Sequence, residues 1–142
     1  MPILDGLNQA MATSPFHQWL GCSVTSLHPD TGTVEVQLPL RNEIVKSDRN
    51  DYVHGGVLAA LVDIAAHAAI HAVTKIHMPT IDLRIDFLRR ARAPLTARAT
   101  PRRIGRSIGV ADVEILDNDG QLVGLGRAVF RTAAPQQPVH PK

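Results

Sequence analysis

The stretch GVLAALVDIAAHAAIHAVT, residues 56–74, decides the fold of this chain. Alanine and other apolar residues dominate it, and it has no proline or glycine after its first position, which predicts one helix of about five turns. Because apolar side chains occur almost all the way round such a helix, we expect it to be buried in the middle of the fold.

Short elements precede this helix. Residues 1–21 are typical of one or two short helices, the second with Ser14 as its N-cap, a proline at its first position and Gly21 at its end. Residues 23–40 alternate apolar and polar side chains around a Pro-Asp-Thr-Gly turn, which predicts a hairpin with one buried face. Residues 41–53 are polar and show neither period, so we expect a loop there.

Strands follow the helix. Residues 81–87 alternate Ile, Leu, Ile and Phe with charged residues, the clearest strand pattern in the chain. Three more strands are predicted at about 94–104, 106–116 and 121–131, the last two joined by an Asp-Asn-Asp-Gly turn. The apolar phase slips between residues 110 and 113, which indicates a β-bulge.

The order of these elements predicts an α+β fold in which one antiparallel sheet wraps around one long helix. We expect a single domain, with residues 1–21 as an N-terminal helical segment, 22–132 as the main body and 133–142, which contain three prolines, as a frayed tail. One small sheet leaves an open edge and an incompletely covered helix, so self-association is expected.

Length and composition exclude several classes of protein. With 142 residues, 44% hydrophobic and 20% charged, the chain has the composition of an ordinary globular domain. A single cysteine, Cys22, excludes an intrachain disulfide and a multi-cysteine zinc site, and we expect it to be a buried thiol. We find no apolar run that approaches the roughly 20 residues of a membrane helix and no signal segment, so a cytoplasmic protein without a membrane partner is expected.

Basic residues are unevenly placed, although the formal net charge is only +2. Eight of the 15 Lys and Arg residues are arginines between residues 84 and 106, and arginine suits bidentate contact with phosphate. These arginines indicate either an anionic ligand or solvated strand faces. Aromatic residues make up 4% of the chain, too few for base stacking, so no nucleic-acid partner is expected.

The stretch NDYVHGGVLAALVD, residues 50–63, is the candidate for chemistry. Two glycines, Gly55 and Gly56, open the helix, where free N–H groups and the positive end of the helix dipole can hold an oxyanion. Asp63 follows His54 by nine residues on an otherwise apolar helix. A carboxylate buried there needs either a function or a partner on a neighbouring strand or a second subunit.

These residues resemble the hotdog-fold thioesterases, in the phenylacetate-degradation (PaaI-like) acyl-CoA thioesterase branch. The resemblance implies a hotdog fold, an antiparallel sheet wrapped around one long central helix, assembled as a dimer or tetramer. It covers most of the chain, residues 15–132, and rests on His-Gly-Gly at 54–56, Asp63, the run DLRIDFLRRA at 82–91, Gly105-Arg106 and the ending Gly124 to Phe130.

The resemblance also implies roles at the site. Asp63 matches the family's catalytic carboxylate, which attacks the thioester or activates water for that attack. Gly55 matches the residue whose N–H polarises the thioester carbonyl, and His54 shapes that loop. Thr80 matches a small hydroxyl residue that positions water, across a subunit boundary from the helix. The residues that match segments in contact with substrate or coenzyme A are Asn50, Gly56, Phe87, Leu88, Arg89, Arg90, Arg92, Arg103, Gly105, Arg106 and Ser107.

Position 48 departs from the family pattern. The family has an asparagine six residues before the histidine, whereas this chain has Asp48 there and Asn50 only four residues before His54. Either Asn50 takes over the role of that asparagine, or Asp48 places a second carboxylate in the catalytic site. In the second case, repulsion between the two carboxylates raises the pKa of one of them.

The other histidines and aromatic residues have more ordinary interpretations. His67 and His71 lie four and eight residues after Asp63, a spacing that also suits a metal, but no zinc-peptidase pattern is present. We therefore expect no metal and place both at a subunit interface. The remaining expectations are a surface position for His17, His28, His77 and His140, and a core or pocket-wall position for Phe16 and Trp19.

The resemblance predicts an acyl-CoA thioesterase that hydrolyses the thioester of a coenzyme A conjugate to free acid and CoA. Two alternatives stay open. One is an enoyl-CoA hydratase or dehydratase on the same fold, with His54 as the partner of the carboxylate, and the other is a non-catalytic acyl-CoA binding protein. No cofactor is expected apart from the coenzyme A of the substrate. The expected partners are that acyl-CoA and further copies of the chain, at least as a dimer and preferably as a tetramer.

Overall fold

A computed structural model of the chain describes residues 2–133. Residues 134–142, with His140 and most of the predicted frayed tail, lie outside the described residues. The elements are α1 (Pro2–Ala12), α2 (Pro15–Leu20), β1 (Ser23–His28), β2 (Thr33–Leu38), a 3-10 turn (Asn42–Ile44), β3 (Val45–Ser47), β4 (Asn50–Val53), α3 (Gly55–Thr74), β5 (Thr80–Phe87), β6 (Leu95–Ile104), β7 (Ile108–Leu116) and β8 (Leu122–Arg131).

Within residues 2–133, six strands form one antiparallel sheet in the order β1-β2-β6-β7-β8-β5, and β3 and β4 form a separate hairpin. Helix α3 packs across the sheet, against β2, β5, β6, β7 and β8. This arrangement confirms the predicted fold class, an antiparallel sheet wrapped around one long central helix.

Helix α3 carries the core. It begins at Gly55, one residue earlier than predicted, because His54 Nδ1 accepts a hydrogen bond of 2.9 Å from the N–H of Gly56 and caps the helix. It ends where Lys75 adopts a left-handed φ of 62°. Contrary to the sequence expectation, α3 is long and apolar enough to cross a membrane, but half of that stretch is buried inside the fold. Its central position accounts for its apolar character.

The N-terminal helices are fixed to the first strand. Helix α2 has Ser14 as its N-cap and Gly21, with a φ of 73°, at its end, as predicted. The side chain of Asn8 on α1 bonds both backbone groups of Val24 on β1: Nδ2 donates to the carbonyl at 2.9 Å, and Oδ1 accepts from the N–H at 2.8 Å. These two hydrogen bonds anchor the helical segment.

The prediction for Phe16 and Trp19 is wrong. Both side chains are exposed and stack on each other with ring centroids 6.3 Å apart, and the guanidinium of Arg41 lies 5.6 Å from the ring of Trp19. Their helix is short, and the side chain that it buries is that of Leu20, so its aromatic face is left to solvent.

The predicted loop at 41–53 is wrong in part, since it contains the 3-10 turn and the β3–β4 hairpin. Ile44 is fully buried and its carbonyl accepts a hydrogen bond of 2.8 Å from the N–H of His54. The N–H of Val53 donates to the carbonyl of Ala91 at 2.7 Å. The hairpin is therefore held by contacts with distant residues, which its polar sequence does not reveal.

The predicted bulge lies in the partner strand and not in β7. β7 alternates regularly, with Gly109, Ala111, Val113 and Ile115 buried. Its pairing with β6 shifts register between Pro101 and Arg103, opposite Ala111 and Val110, and its pairing with β8 shifts between Ile115 and Leu116. At the start of β7 the inward residues are the small Gly109 and Ala111, whereas the outward residues Ile108 and Val110 are large and apolar. The apolar pattern of the sequence therefore marks the outward side there.

Strand β5 forms one edge of the sheet, and its apolar residues are poorly covered. Ile81 and Phe87 keep 55% and 57% of their surface exposed, and Leu83 is exposed as well. The strand prediction is confirmed, but α3 covers this apolar side incompletely. An exposed apolar edge strand is a site for pairing with another chain.

The close approach of α3 to β8 at Gly126 gives a test of this packing. A Cβ at Gly126 would lie 2.5 Å from Val62 Cγ1 and 3.1 Å from the carbonyl oxygen of Arg84. We expect Gly126→Ala to lower the free energy of unfolding by about 1–3 kcal/mol, because the helix must move away from the sheet. Urea unfolding followed by circular dichroism measures this change.

Gly6→Ala is the matched control. A Cβ at Gly6 meets no heavy atom within 4 Å, and the residue lies inside α1. The same substitution there should raise the free energy of unfolding by about 0.5–1 kcal/mol. Equal unfolding midpoints for the two variants would contradict the proposed packing constraint.

Candidate active site

The N-terminus of α3 presents a free backbone donor. The N–H of Gly55 has no hydrogen-bond partner within residues 2–133, whereas the N–H of Gly56 is taken by the side chain of His54. Gly55 also packs closely on Phe87, since a Cβ there would lie 3.3 Å from Phe87 Cε1. The Gly55 N–H can therefore bind an anionic oxygen at the positive end of the helix dipole.

A cleft of about 560 Å³ opens in front of this helix terminus. Two basic segments line it, Lys46 on the β3–β4 hairpin and Arg89-Arg90 after β5, together with His54 and Gly55. Such a cleft offers cations and a backbone donor to one ligand. The other lining residues are Asn50, Tyr52, Val53, Leu58, Phe87, Leu88 and Ala91.

Tyr52 organises the arginines beside the cleft. The guanidinium groups of Arg90 and Arg92 lie 5.4 and 4.3 Å from the centre of its ring. Arg92 Nε also donates to the carboxylate of Asp51 at 2.5 Å, and this hydrogen bond lowers the pKa of Asp51. Arg92 is thus engaged with Asp51, which leaves Arg89 and Arg90 as the arginines that line the cleft.

Asn50 lines the cleft and Asp48 does not. Asn50 lies there with His54, and its side chain bonds the hydroxyl of Ser47 at 3.0 Å and the N–H of Tyr52 at 3.2 Å. Asp48 lies exposed in the β3–β4 turn and lines a neighbouring hollow, which Asn50 also borders. Of the two residues, Asn50 is the one placed near the helix terminus.

Asp63 lies in a second cavity, of about 250 Å³, between α3 and the N-terminal helices. Its Oδ1 accepts a hydrogen bond of 2.7 Å from the hydroxyl of Thr80. The expectation that a subunit boundary separates Thr80 from this helix is therefore wrong, because β5 runs beside α3 in the same chain. The hydroxyl fixes one carboxylate oxygen and leaves the carboxylate facing the cavity.

Histidines surround Asp63. His17, His67, His71 and His77 line the same cavity, so the surface position expected for His17 is wrong. His77 is exposed, as predicted, but stacks on His71 with centroids 4.7 Å apart, and His67 stacks on both. His67 and His71 make these stacking contacts within one subunit.

Two of these histidines bond the segment that follows α3. His67 Nε2 accepts from the N–H of Met78 at 3.4 Å, and His71 Nδ1 lies 2.8 Å from the carbonyl oxygen of Ile76. Burial, together with the neighbouring His71 and His77, lowers the pKa of His67 to about 4. His67 is therefore uncharged at neutral pH.

Metal and thiol chemistry find little support. Among residues 2–133, no three His, Cys, Asp or Glu side chains are placed to hold a metal ion. Cys22 is partly buried, and this burial raises the pKa of its thiol to about 11, so it is a poor nucleophile at neutral pH.

The two cavities lie at opposite ends of β5. Gly55 contacts Phe87 at one end of the strand, and Asp63 bonds Thr80 at the other, eight residues and about 12 Å further along the axis of α3. A single thioester carbonyl cannot touch both groups in one subunit. The residues that the resemblance assigned to one site are thus divided between two places on each chain.

A further basic segment lies apart from the cleft. Arg103 is exposed at the end of β6, and Arg106 and Ser107 are exposed in the β6–β7 turn, where the carbonyl of Gly105 accepts a hydrogen bond of 2.6 Å from the hydroxyl of Thr132. This turn lies beyond the end of β8 that pairs with Thr80, far from Arg89 and Arg90. Within one chain, the two segments do not share a ligand.

Several residues near these cavities were not anticipated from the sequence. Lys46 lies in a segment without a clear period, and Tyr52 has no motif of its own. His17 lies on α2 and shares a cavity with residues of α3 that are distant in sequence. The Ser14 N-cap predicts where α2 begins, but it does not predict that α2 lies beside α3.

The comparisons with known proteins agree with this geometry. The family model of the thioesterase superfamily matches residues 50–124. The chain is 31% identical over 126 residues to the medium/long-chain acyl-CoA thioesterase YigI of Escherichia coli strain K12, covering 76% of this chain and 78% of that protein.

Two solved structures are similar as well. A variant of the phenylacetic acid degradation protein PaaI from Thermus thermophilus superposes with a TM-score of 0.70 at 28% identity, covering 83% of this chain and 98% of that one. Thioesterase superfamily member 2 of zebra fish gives a TM-score of 0.78 at 25% identity, covering 92% and 98%.

The lowered pKa of His67 makes the stability of the protein depend on pH. The unfolded chain binds a proton near pH 6.5, whereas the folded chain binds it only near pH 4. We therefore expect the free energy of unfolding to fall as the pH drops from 6.5 towards 4, because the unfolded state binds more protons in this window. Urea unfolding at several pH values measures the slope.

His67→Gln should flatten this slope, since the glutamine oxygen can accept the Met78 hydrogen bond without titrating. His28→Gln is the control, because His28 is exposed at the end of β1. An unchanged slope in the His67 variant would show that other groups cause the pH dependence.

Proposed function

Because the chain belongs to the PaaI-like branch of the hotdog-fold thioesterase superfamily and is a thioester hydrolase, we propose that its substrates are coenzyme A thioesters. The reaction breaks the bond between the acyl carbon and sulfur. Water supplies the hydroxyl that forms the acid and the hydrogen that forms the thiol of CoA. The observation that carries the proposal is the free Gly55 N–H in a cleft that is also lined by Lys46, Arg89 and Arg90.

The Gly55 N–H binds the thioester oxygen. As a nucleophile adds to the carbonyl carbon, this oxygen becomes negative, and a fixed donor at a helix N-terminus stabilises the charge without reorganisation. His54 keeps the donor available, because its ring occupies the neighbouring Gly56 N–H and holds the helix terminus in place.

Asp63 supplies the base or the nucleophile. Its bond to Thr80 leaves the second oxygen, Oδ2, without a partner among the described residues, and that carboxylate faces the cavity. An ionised carboxylate either takes a proton from the attacking water or attacks the carbonyl itself. In both routes the CoA sulfur leaves and receives a proton.

A dimer formed along β5 reunites the two halves of the site. β5 has an unpaired edge and exposed apolar residues, and its two ends lie beside Gly55 and Asp63 of α3, at Phe87 and Thr80 respectively. Antiparallel pairing with a second copy about a two-fold axis brings the Phe87 end of one strand beside the Thr80 end of the other. Each dimer then has two complete sites, and pairing of such dimers gives the expected tetramer.

The cleft binds the nucleotide part of coenzyme A. Lys46, Arg89 and Arg90 provide cations for its phosphates, and the ring of Tyr52 holds the guanidinium of Arg90 in place. Arg103 and Arg106 reach the same ligand only from a partner subunit. The reaction needs water but no cofactor, and substrates of this kind suit a protein of the cytoplasm.

The first test measures turnover of acyl-CoA esters with short, medium, long and aromatic acyl groups, by release of free thiol. Medium and long chains belong in this panel because the similar YigI protein is named for them. We expect Asp63→Asn to lower kcat by at least about 10³-fold, since it removes the base or nucleophile.

Wild-type protein that binds acyl-CoA without cleaving it would reject the proposal in favour of a binding protein. Formation of a hydroxyacyl-CoA from an enoyl-CoA would instead indicate the hydratase alternative.

The second test mixes two inactive variants. Gly55→Pro removes the N–H, and proline fits the first helical position after His54, whose ψ is 136°. We expect Gly55→Pro and Asp63→Asn each to be inactive alone. After they are unfolded and refolded together, about a quarter of the wild-type activity should return, because half of the dimers are mixed and each has one intact site.

Gly55→Ala is the matched control for the first variant, since it keeps the N–H and adds a Cβ close to Phe87. It should retain most of the activity. If the mixture stays inactive although co-purification of differently tagged variants shows mixed dimers, each site lies within one subunit and the shared-site proposal is wrong.

A further inference from the structure

Helix α1 forms one wall of the cavity that contains Asp63. Leu7, Ala10 and Met11 lie at helical spacing on one face of α1, and all three line this cavity of about 250 Å³. Each of them is apolar. The space beside the carboxylate therefore has a wall that suits a hydrocarbon group better than water.

A second wall comes from α3. Ile64, His67, Ala68 and His71 line the cavity together with Asp63, and their spacing places them along one side of the helix. Asp63 and His71 are eight residues apart, which is about 12 Å along the helix axis. The cavity thus extends from the carboxylate along α3 and continues well beyond the carboxylate itself.

The wall formed by α1 is fixed in place. The side chains of Leu7 and Met11 are buried, and Asn8 between them bonds both backbone groups of Val24 on β1. Helix α1 can move away from α3 only if these two hydrogen bonds break and both apolar side chains lose their contacts. The wall therefore limits the size of any group that the cavity holds.

The three groups on the acyl carbon of a thioester show which part of the substrate belongs here. In the proposed dimer, the carbonyl oxygen binds the N–H of the partner subunit's Gly55, and the sulfur leads to coenzyme A in the cleft beside that residue. The acyl substituent points away from both. When Asp63 is within reach of the acyl carbon, the space next to it in its own subunit is this cavity.

We propose that the acyl group occupies the cavity between α1 and α3, and that Leu7, Ala10 and Met11 set the largest acyl group that the enzyme accepts. This inference rests on the proposed hydrolysis of coenzyme A thioesters. A cavity of about 150 Å³ holds the six carbons of benzene, so one of about 250 Å³ holds about ten carbons at the same density. The preferred substrates are therefore compact or medium-chain acyl groups, and palmitoyl-CoA is a poor substrate.

Added bulk on the α1 wall tests this assignment. Ala10 lines the cavity and is only partly buried, so a larger side chain there enters the cavity. We expect Ala10→Leu to shorten the best straight acyl chain by about three carbons, the number that leucine adds to alanine, and to lower kcat/KM for the original best chain at least about 10-fold. Turnover of acetyl-CoA should stay within about twofold of wild type, because its acyl group is small. Release of free thiol from straight-chain esters, acetyl to palmitoyl, measures the profile.

Ala12→Leu is the matched control, because Ala12 is exposed on the same helix and does not line the cavity. It should leave the chain-length profile unchanged. Met11→Ala makes the opposite change, since it removes about three heavy atoms from the wall and should lengthen the best chain by about three carbons. Thermal unfolding shows whether each variant is folded. A lower stability alone reduces turnover of every ester equally and does not shift the profile.

Binding gives a readout that is independent of turnover. S-alkyl thioethers of coenzyme A lack the carbonyl group and cannot be hydrolysed. We expect Kd, measured by calorimetry, to fall about fourfold for each added methylene until the cavity is full, and to fall no further for longer chains. The chain length at which this happens should shift in Ala10→Leu and Met11→Ala as it does in turnover.

The outcomes separate this inference from the proposed function. Wild-type protein that binds the thioethers with this profile but cleaves no acyl-CoA overturns the proposed function and supports the acyl site. With an active wild type, an unchanged profile in both Ala10→Leu and Met11→Ala overturns the inference alone. Equal shifts in Ala10→Leu and Ala12→Leu overturn it as well, because the effect then comes from α1 as a whole. Palmitoyl-CoA cleaved as well as octanoyl-CoA by the wild type would contradict the size limit.

Discussion

Burial of an apolar helix by a single sheet is the constraint on which the rest of this structure depends. α3 is apolar on nearly every side, and the sheet covers it closely enough to require glycine at Gly109 and Gly126, where added Cβ atoms would approach Ile70 and Val62. The sheet reaches only part of the helix surface. The uncovered part must be closed by other elements, and the functional groups lie there.

Two elements close this remaining surface, and each brings polar groups to it. The N-terminal helices cover the side of α3 that carries Asp63 and the histidines, so a carboxylate is enclosed with imidazoles and the hydroxyl of Thr80. The β3–β4 hairpin lies beside the N-terminus of α3 and brings the basic side chain of Lys46 to the cleft at the free N–H of Gly55. The carboxylate near the middle of α3 is thus kept apart from the cations at its N-terminus.

The sequence predicts local features well and long-range ones poorly. The helix over 56–74, the strand over 81–87 and the cap at Ser14 depend on short-range patterns, and the structure confirms them with small shifts at their ends. The hairpin in residues 41–53 and the cavity position of His17 depend on distant partners, so no local period indicates them. The bulge was misplaced because the inward positions at the start of β7 are glycine and alanine, which hide the phase of the strand.

The division of the site has an electrostatic advantage in the hydrolysis proposed for this chain. A carboxylate near the oxyanion donor of its own helix would compete with the substrate for that N–H, because both are negative and the positive helix end attracts either. Eight residues of α3 keep Asp63 about 12 Å from Gly55, too far for such competition within one subunit. In the dimer that we propose, antiparallel pairing along β5 brings a carboxylate to each donor at a spacing set by the interface, and the thioester occupies the space between them. In that dimer the edge strand β5 is the element that determines the distance between base and oxyanion hole.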